Sequence, residues 1–211
     1  AEARYYTIVD VPIPDTLAIE AGSFVWLPDG RLAVGTRRGE IILVDGVDDP
    51  FPQPSYVPFA SGMDEILGLD YRDGAFYVTQ QTELTVVRDQ NGDGRADRFD
   101  TLADGWGFNA YHEFAIGSKL DANGATWIAL CLSKSYESDR LFRGWALKVD
   151  ADGSVTPIAS GIRSPLGVGP NESGVMFYAE SQGPWNGSCS LKHLKPGGFM
   201  GHPASFVWYP Q

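Results

Sequence analysis

The feature that most limits how this chain can fold is a strand–turn–strand unit that returns along its length. Phe24-Val25-Trp26-Leu27 is a short apolar run, Pro28-Asp29-Gly30 a turn, and Arg31-Leu32-Ala33-Val34-Gly35 the returning strand. Residues 39–46 add a third strand that ends in another turn. The same order recurs from Leu67 to Asp89 around the turn Arg72-Asp73-Gly74. It recurs from Glu113 to Gly153 around Asp121-Ala122-Asn123-Gly124, and from Pro165 to Leu194 around Glu172-Ser173-Gly174. Each turn closes on glycine, which supplies a positive φ at no steric cost. Gly30, Gly74, Gly124 and Gly174 recur roughly every 40–50 residues, the length of a propeller blade of three or four strands.

The expected fold is therefore an all-β propeller, with blade units over residues 24–60, 64–108, 111–160 and 163–211. A β-sandwich of meanders is the alternative, but it would not need self-similar units. No segment sustains a 3.6-residue amphipathic period, so long helices are not expected. Propellers close with about 4–8 blades. Four blades, the last incomplete, are a small ring or part of a larger, six-bladed one. An open fan would expose sheet edges, so association that completes the ring is expected. Residues 4–9, Arg4-Tyr5-Tyr6-Thr7-Ile8-Val9, read as a lead-in strand that Pro12 and Pro14 stop.

The net charge of −11 argues against nucleic acid or an anionic membrane surface as partner, since both require clustered Lys and Arg. With 43% hydrophobic and 12% aromatic residues the 211-residue chain can bury a substantial core. Three histidines and two cysteines are too few for a Cys-rich zinc module or a disulfide scaffold. No apolar run approaches transmembrane length. Ala1-Glu2-Ala3 is compatible with the mature start that signal cleavage leaves. Cys131 and Cys189 would pair in an oxidising compartment; two buried thiols are the alternative.

Two places carry candidate chemistry. Residues 89–100 fit a twelve-position calcium loop: Asp89, Asn91, Asp93, Asp97 and Asp100 offer side-chain oxygens, Arg95 its carbonyl, and Gly94 the sharp turn. Asp100 stands where a bidentate Glu is usual. No helices flank the loop, so it reads as a clip between strands; the bland alternative is an acidic surface turn. His112, just before the third unit, would point at whatever the repeats surround. An imidazole with an ordinary pKa of about 6.5 can accept a proton near neutral pH. A lone histidine can equally be structural, as His193 and His202 are read to be. Arg163, at the head of the fourth unit, faces the same axis one blade away. Its guanidinium suits a planar carboxylate, or an inter-blade ion pair.

Several stretches, taken in order, resemble the soluble quinoprotein glucose/sorbosone dehydrogenase family. They are His112 with Ala115-Ile116-Gly117 and Asp121-Ala122-Asn123-Gly124; residues 144–154; Gly161-Ile162-Arg163-Ser164-Pro165-Leu166-Gly167; Gln182-Gly183-Pro184; and residues 195–203. The chain is also similar to a branch of secreted bacterial propellers labelled membrane-bound dehydrogenases, common in planctomycete-type bacteria, through its Gly-Asp-Gly-Arg-Ala-Asp and Tyr-His-Glu-Phe segments. The resemblance implies a six-bladed propeller with pyrroloquinoline quinone (PQQ) and calcium at the axis. It implies an extracytoplasmic, periplasmic or secreted location, a sugar or alcohol substrate, and an electron acceptor such as a cytochrome. By resemblance His112 is the general base and Arg163 a cofactor contact. Gln182, Gly183 and Pro184 fall in the cofactor segment, the carbonyls of Gly183 and Pro184 at calcium positions. Ser164 replaces the family's Asn, Trp185-Asn186-Gly187-Ser188 replaces its acidic residues, and its last blades have no counterpart. The other reading is a non-catalytic, calcium-stabilised carbohydrate- or protein-binding propeller that uses Trp106, Tyr111 and Trp185 as stacking faces.

Overall fold

The computed structural model describes residues 5–109, 112–134, 136–183 and 186–209. Four antiparallel sheets follow one another in chain order. The first blade is β1 (Ala21–Trp26), β2 (Leu32–Thr36), β3 (Ile41–Asp45) and β4 (Ser55–Ala60). The second is β5 (Gly68–Arg72), β6 (Ala75–Thr79), β7 (Leu84–Arg88) and β8 (Arg98–Ala103). The third is β9 (Ala115–Leu120), β10 (Thr126–Leu130), β11 (Trp145–Val149) and β12 (Val155–Ser160). The fourth has three strands: β13 (Pro165–Pro170), β14 (Met176–Glu180) and β15 (Ser190–His193). The first strand of each sheet packs on the first strand of the next, so β1, β5, β9 and β13 stand side by side around an axis. This is the expected propeller arrangement.

Alternation along the strands decides what each sheet faces. In the first blade Val25, Ala33 and Leu43 are register partners across β1, β2 and β3. They pack with Leu69, Phe76 and Val78 of the second blade. Leu84 and Ala103 meet Ala115, Ile128 and Leu147 between the second and third blades. Ala129, Ala146 and Ile158 meet Val168, Met176 and Tyr178 between the third and fourth. Each large side chain fully buried here contributes on the order of 2 kcal/mol.

Close approach of the inner strands requires glycine. A Cβ on Gly22 would sit on the Ile66 carbonyl oxygen at the head of the second blade, and one on Gly68 on the Gly117 carbonyl of the third. Gly167, on the corresponding outward side of the fourth blade, has nothing within 4 Å of the place its Cβ would take.

Both ends of the fan present apolar faces. On the first blade Phe24, Val34 and Ile42 form one row and Trp26, Leu32, Val44 and Tyr56 another. Leu17 and Ile19 cover Val34, Ile42 and Val44, and the Tyr56 hydroxyl donates to the Pro12 carbonyl at 2.9 Å. Phe24 and Trp26 stay 55% and 56% exposed. On the fourth blade a shallow cleft of about 480 Å³ is lined by Gly167, Gly169, Phe177, Ala179 and Leu191.

Two stretches depart from expectation. Residues 6–9 form no strand, and Tyr6 and Ile8 are exposed. β-forming composition needs a partner strand to become a strand, and among the described residues this segment has none. The chain after β15 also leaves the fourth blade. Gly198–Phe199 (β16) pairs in parallel with β12 of the third, and a 3-10 helix over Pro203–Trp208 follows. That helix is held by Trp145 Nε1 donating to the Ser205 carbonyl at 3.0 Å and by the Gly161 N–H donating to Ser205 Oγ at 2.8 Å.

Candidate active site at the mouth of the third and fourth blades

An inner strand that starts at one end of the ring places its preceding loop there. The next strand runs antiparallel, so it finishes at the same end. One mouth therefore gathers the segments before β5, β9 and β13 with the loops after β2, β6, β10 and β14. His112 lies just before β9 and Arg163 just before β13, and these inner strands are neighbours. The two residues singled out from sequence thus belong to adjacent loops of one mouth.

His112 is half-buried and has φ +72°, a left-handed conformation that costs a non-glycine residue. Its ring centre is 6.0 Å from that of Phe114. The Arg37 guanidinium, from the loop after β2, lies 5.9 Å from the Phe114 ring centre and ion-pairs with Glu65. Gln81 Nε2 also donates to Glu65, at 3.3 Å. Arg163 is held at both ends. Its N–H donates to Glu180 Oε1 at 2.8 Å, its Nη1 donates to the Gln182 carbonyl at 2.7 Å, and its guanidinium lies 5.3 Å from the Tyr136 ring centre. The Gly183 carbonyl accepts the Asn186 N–H at 3.0 Å and the Gly183 N–H donates back at 2.8 Å, a tight closed turn. Pro184, Trp185 and Tyr111 lie outside the described residues.

Beneath the mouth sit charged residues that the sequence did not advertise. Arg143 is fully buried, and its guanidinium donates to four backbone carbonyls. These are Gly107 at 2.8 Å, Glu113 at 2.6 Å, Phe114 at 2.9 Å and Gln81 at 3.1 Å. Burial pulls its pKa down to about 10, against the opposing pull of the Glu113 carboxylate. Glu113, fully buried, accepts the Asn109 N–H and the Ser133 hydroxyl, which also contacts Asp139. That hydroxyl lowers the Asp139 pKa. Glu180, also fully buried, accepts the N–H groups of Arg163 and Ser164 at 2.8 and 3.0 Å, together with the Tyr178 hydroxyl and Lys192. Carboxylates thus hold N–H groups and a guanidinium holds carbonyls, each under a loop that carries a candidate residue. In sequence Arg143 looks like its exposed neighbour Arg140; its immersion follows only from the loop's path.

Other candidates stand elsewhere. His202 is buried and caps the 3-10 helix, its Nδ1 accepting the Ala204 N–H at 3.2 Å. Burial, and then the nearby Arg163 charge, lower its pKa. His193 is exposed and stacks on Phe177 with ring centres 5.4 Å apart. Trp106 is buried and donates to the Gln81 carbonyl at 3.0 Å, so it offers no stacking face. Cys131 is buried and Cys189 exposed, both as free thiols, so they do not pair, and of the alternative reading only Cys131 is a buried thiol.

The calcium-type loop joins β7 to β8 at the rim of the second blade. Asp89 accepts the N–H groups of Gly92 and Gly94 at 2.7 and 2.8 Å. Asn91 accepts from Asp93 at 2.8 Å, Asp93 from Arg95 at 2.9 Å, and Asp97 from Gln90 at 2.8 Å. Asp100, the last member of the expected set, lies on β8 and pairs with Arg98 at 2.7 Å and Arg88 at 3.4 Å. The extended strand carries its carboxylate to these guanidinium groups. Among the described residues no three His, Cys, Asp or Glu side chains are grouped to hold a metal ion. The donor chemistry of the loop, all hard oxygen, still suits calcium.

No family profile matches the chain, and no curated protein matches it by sequence. Solved structures do match. A Trichoderma reesei carbohydrate-active enzyme of family AA12 superposes with a TM-score of 0.72 at 16% identity, covering 88% of this chain and 56% of that one. The PQQ-bound aldose sugar dehydrogenase of Streptomyces coelicolor gives 0.67 at 21% identity, over 88% of this chain and 63% of that one. The holo PQQ domain of pyranose dehydrogenase from Coprinopsis cinerea gives 0.69 at 13% identity, over 88% and 54%. These likenesses show a shared propeller fold, and this chain spans less than two thirds of each of those chains.

Proposed function

We propose that this chain carries the base-bearing part of a PQQ- and calcium-dependent sugar or alcohol dehydrogenase acting outside the cytoplasm. The observation that supports it is the placement of His112 and Arg163 on adjacent loops of one mouth, in a fold shared with PQQ-bound dehydrogenases. The residues present suit the group. A guanidinium against an aromatic face complements an acidic planar molecule, and the Gly183 carbonyl, which accepts the Asn186 N–H, keeps a second lone pair for a cation. Arg163, Gln182, Gly183 and Pro184 would hold the cofactor, which when bound supplies the hydride acceptor. His112 takes the substrate hydroxyl proton on an imidazole nitrogen.

Titration of the protein with PQQ and calcium, followed by absorbance, is the test, with dye-linked oxidation of aldoses as the second stage. The expected result is a saturable spectral change and turnover that His112→Ala abolishes. Absence of a spectral change overturns the reading. Glycan binding that survives His112→Ala would favour a binding propeller.

The calcium loop is part of the same proposal, with Asp89, Asn91, Asp93, Asp97 and the Arg95 carbonyl as ligands and Asp100 left out. So is association. The glycine at Gly167 and the apolar cleft around it suit the inner strand of a further β-sheet, as Gly22 and Gly68 suit the sheets beside them.

A further inference from the structure

We infer that Arg143 is a positioning residue for His112: its buried guanidinium fixes the left-handed backbone that aims the imidazole at the mouth. The inference takes the role of His112 from the reading above, while the geometry stands apart from it. His112 occupies a conformation at φ +72° that it would leave without restraint. The two carbonyls that follow it in the chain, those of Glu113 and Phe114, both accept from Arg143 Nη1 at 2.6 and 2.9 Å. Its Nε and Nη2 reach Gly107, upstream of the histidine, and Gln81, in the loop after β6, at 2.8 and 3.1 Å. One rigid fork therefore ties both sides of the His112 segment to the mouth loop of the preceding blade.

The side chain has no accessible surface, so these carbonyls stand in for its lost water. The anchoring runs both ways: carbonyls turned inward for the guanidinium fix the peptide planes after His112. Charge also matters. Glu113, one residue from His112, is buried close enough to pull on the guanidinium electrostatically while its carboxylate holds the Asn109 N–H upstream. A lysine keeps the charge but lacks the planar fork with donors fixed toward several carbonyls.

Imidazole ¹⁵N NMR of the full chain tests this, with His112 assigned through His112→Gln and His193 on the fourth blade as internal reference. In the wild type we expect one sharp His112 signal set. We also expect through-hydrogen-bond couplings from the Arg143 guanidinium to the Glu113 and Phe114 carbonyl carbons. Arg143→Lys and Arg143→Met should broaden the His112 signals about twofold or split them, with His193 unchanged, because neither side chain reproduces the planar fork, even where lysine keeps the charge. Signals of His112 that match the wild type in a folded variant overturn the inference. If neither variant folds, the wild-type couplings decide: their presence to both carbonyls supports it and their absence overturns it. None of these readouts needs quinone or sugar, so failure of the dehydrogenase reading leaves the result legible. Where that reading holds, Arg143→Lys should lower kcat by about tenfold with KM nearly unchanged.

Discussion

At the scale of single residues, burial sorts chemically similar groups. Cys131 lies in the core, where burial raises its thiol pKa to about 12, whereas Cys189 is exposed. A thiol reacts through its thiolate. A disulfide-exchange reagent at pH 8 should therefore titrate Cys189 within minutes and Cys131 only after denaturation; prompt reaction of both thiols in the native protein would contradict the placement. His202 gives a pH dependence. Its folded pKa lies below the unfolded value near 6.5, so the unfolded chain binds the extra proton first. Its contribution is present in full above that value and is lost as pH falls through it toward the folded pKa. Melting temperature should drop between pH 7 and 5.5, and the drop should be smaller in His202→Gln. Little of this was legible in the sequence. His112 and Arg163 stood out through their position at the head of repeated units, whereas Arg143, Glu113 and Glu180 carry no local mark. Their roles come from partners far along the chain.

At the scale of elements, the strands were the most legible part. Short apolar runs bounded by Gly-ended turns mark the first three strands of each blade, whereas β4, β8 and β12, the more exposed outer strands, carry no such run and do not stand out in the sequence. Residues 6–9 have the composition of a strand without a partner to pair with. Residues 198–208 fall within the expected fourth unit, 163–211, yet lie against the third blade, a docking set by Trp145, Gly161 and Ser205 that no local pattern encodes. The β7–β8 loop was legible as an acidic, Gly-rich turn of oxygen donors; that its last member, Asp100, stands on β8 beside Arg88 and Arg98 was not. Calcium at millimolar concentration should raise the melting temperature of the wild type and of Asp100→Ala alike, and leave Asp93→Ala unmoved. Loss of the calcium response in Asp100→Ala would restore that residue to the site.

At the scale of the whole molecule, repetition made the propeller legible, but the meaning of its glycines needed coordinates. Gly68 and Gly167 look alike in the sequence. A side chain at the first would strike the Gly117 backbone, while the second has open space before it. Gly68→Val should destabilise the protein by about 3 kcal/mol or more through forced backbone shifts, and Gly167→Val by less than about 1 kcal/mol. Chemical denaturation of the two variants measures both; equal losses would mean that Gly167 already has a neighbour in solution.

The attachment of the mouth loops has a wider consequence. Arg143 grips carbonyl oxygens and Glu180 grips N–H groups, atoms that almost every amino acid shares. The side chains these loops display toward the opening can therefore be exchanged while their footing stays put. Such a mouth is suited to diversification: randomising Ser164 and Gln182 should alter what the opening accepts long before it disturbs the fold beneath.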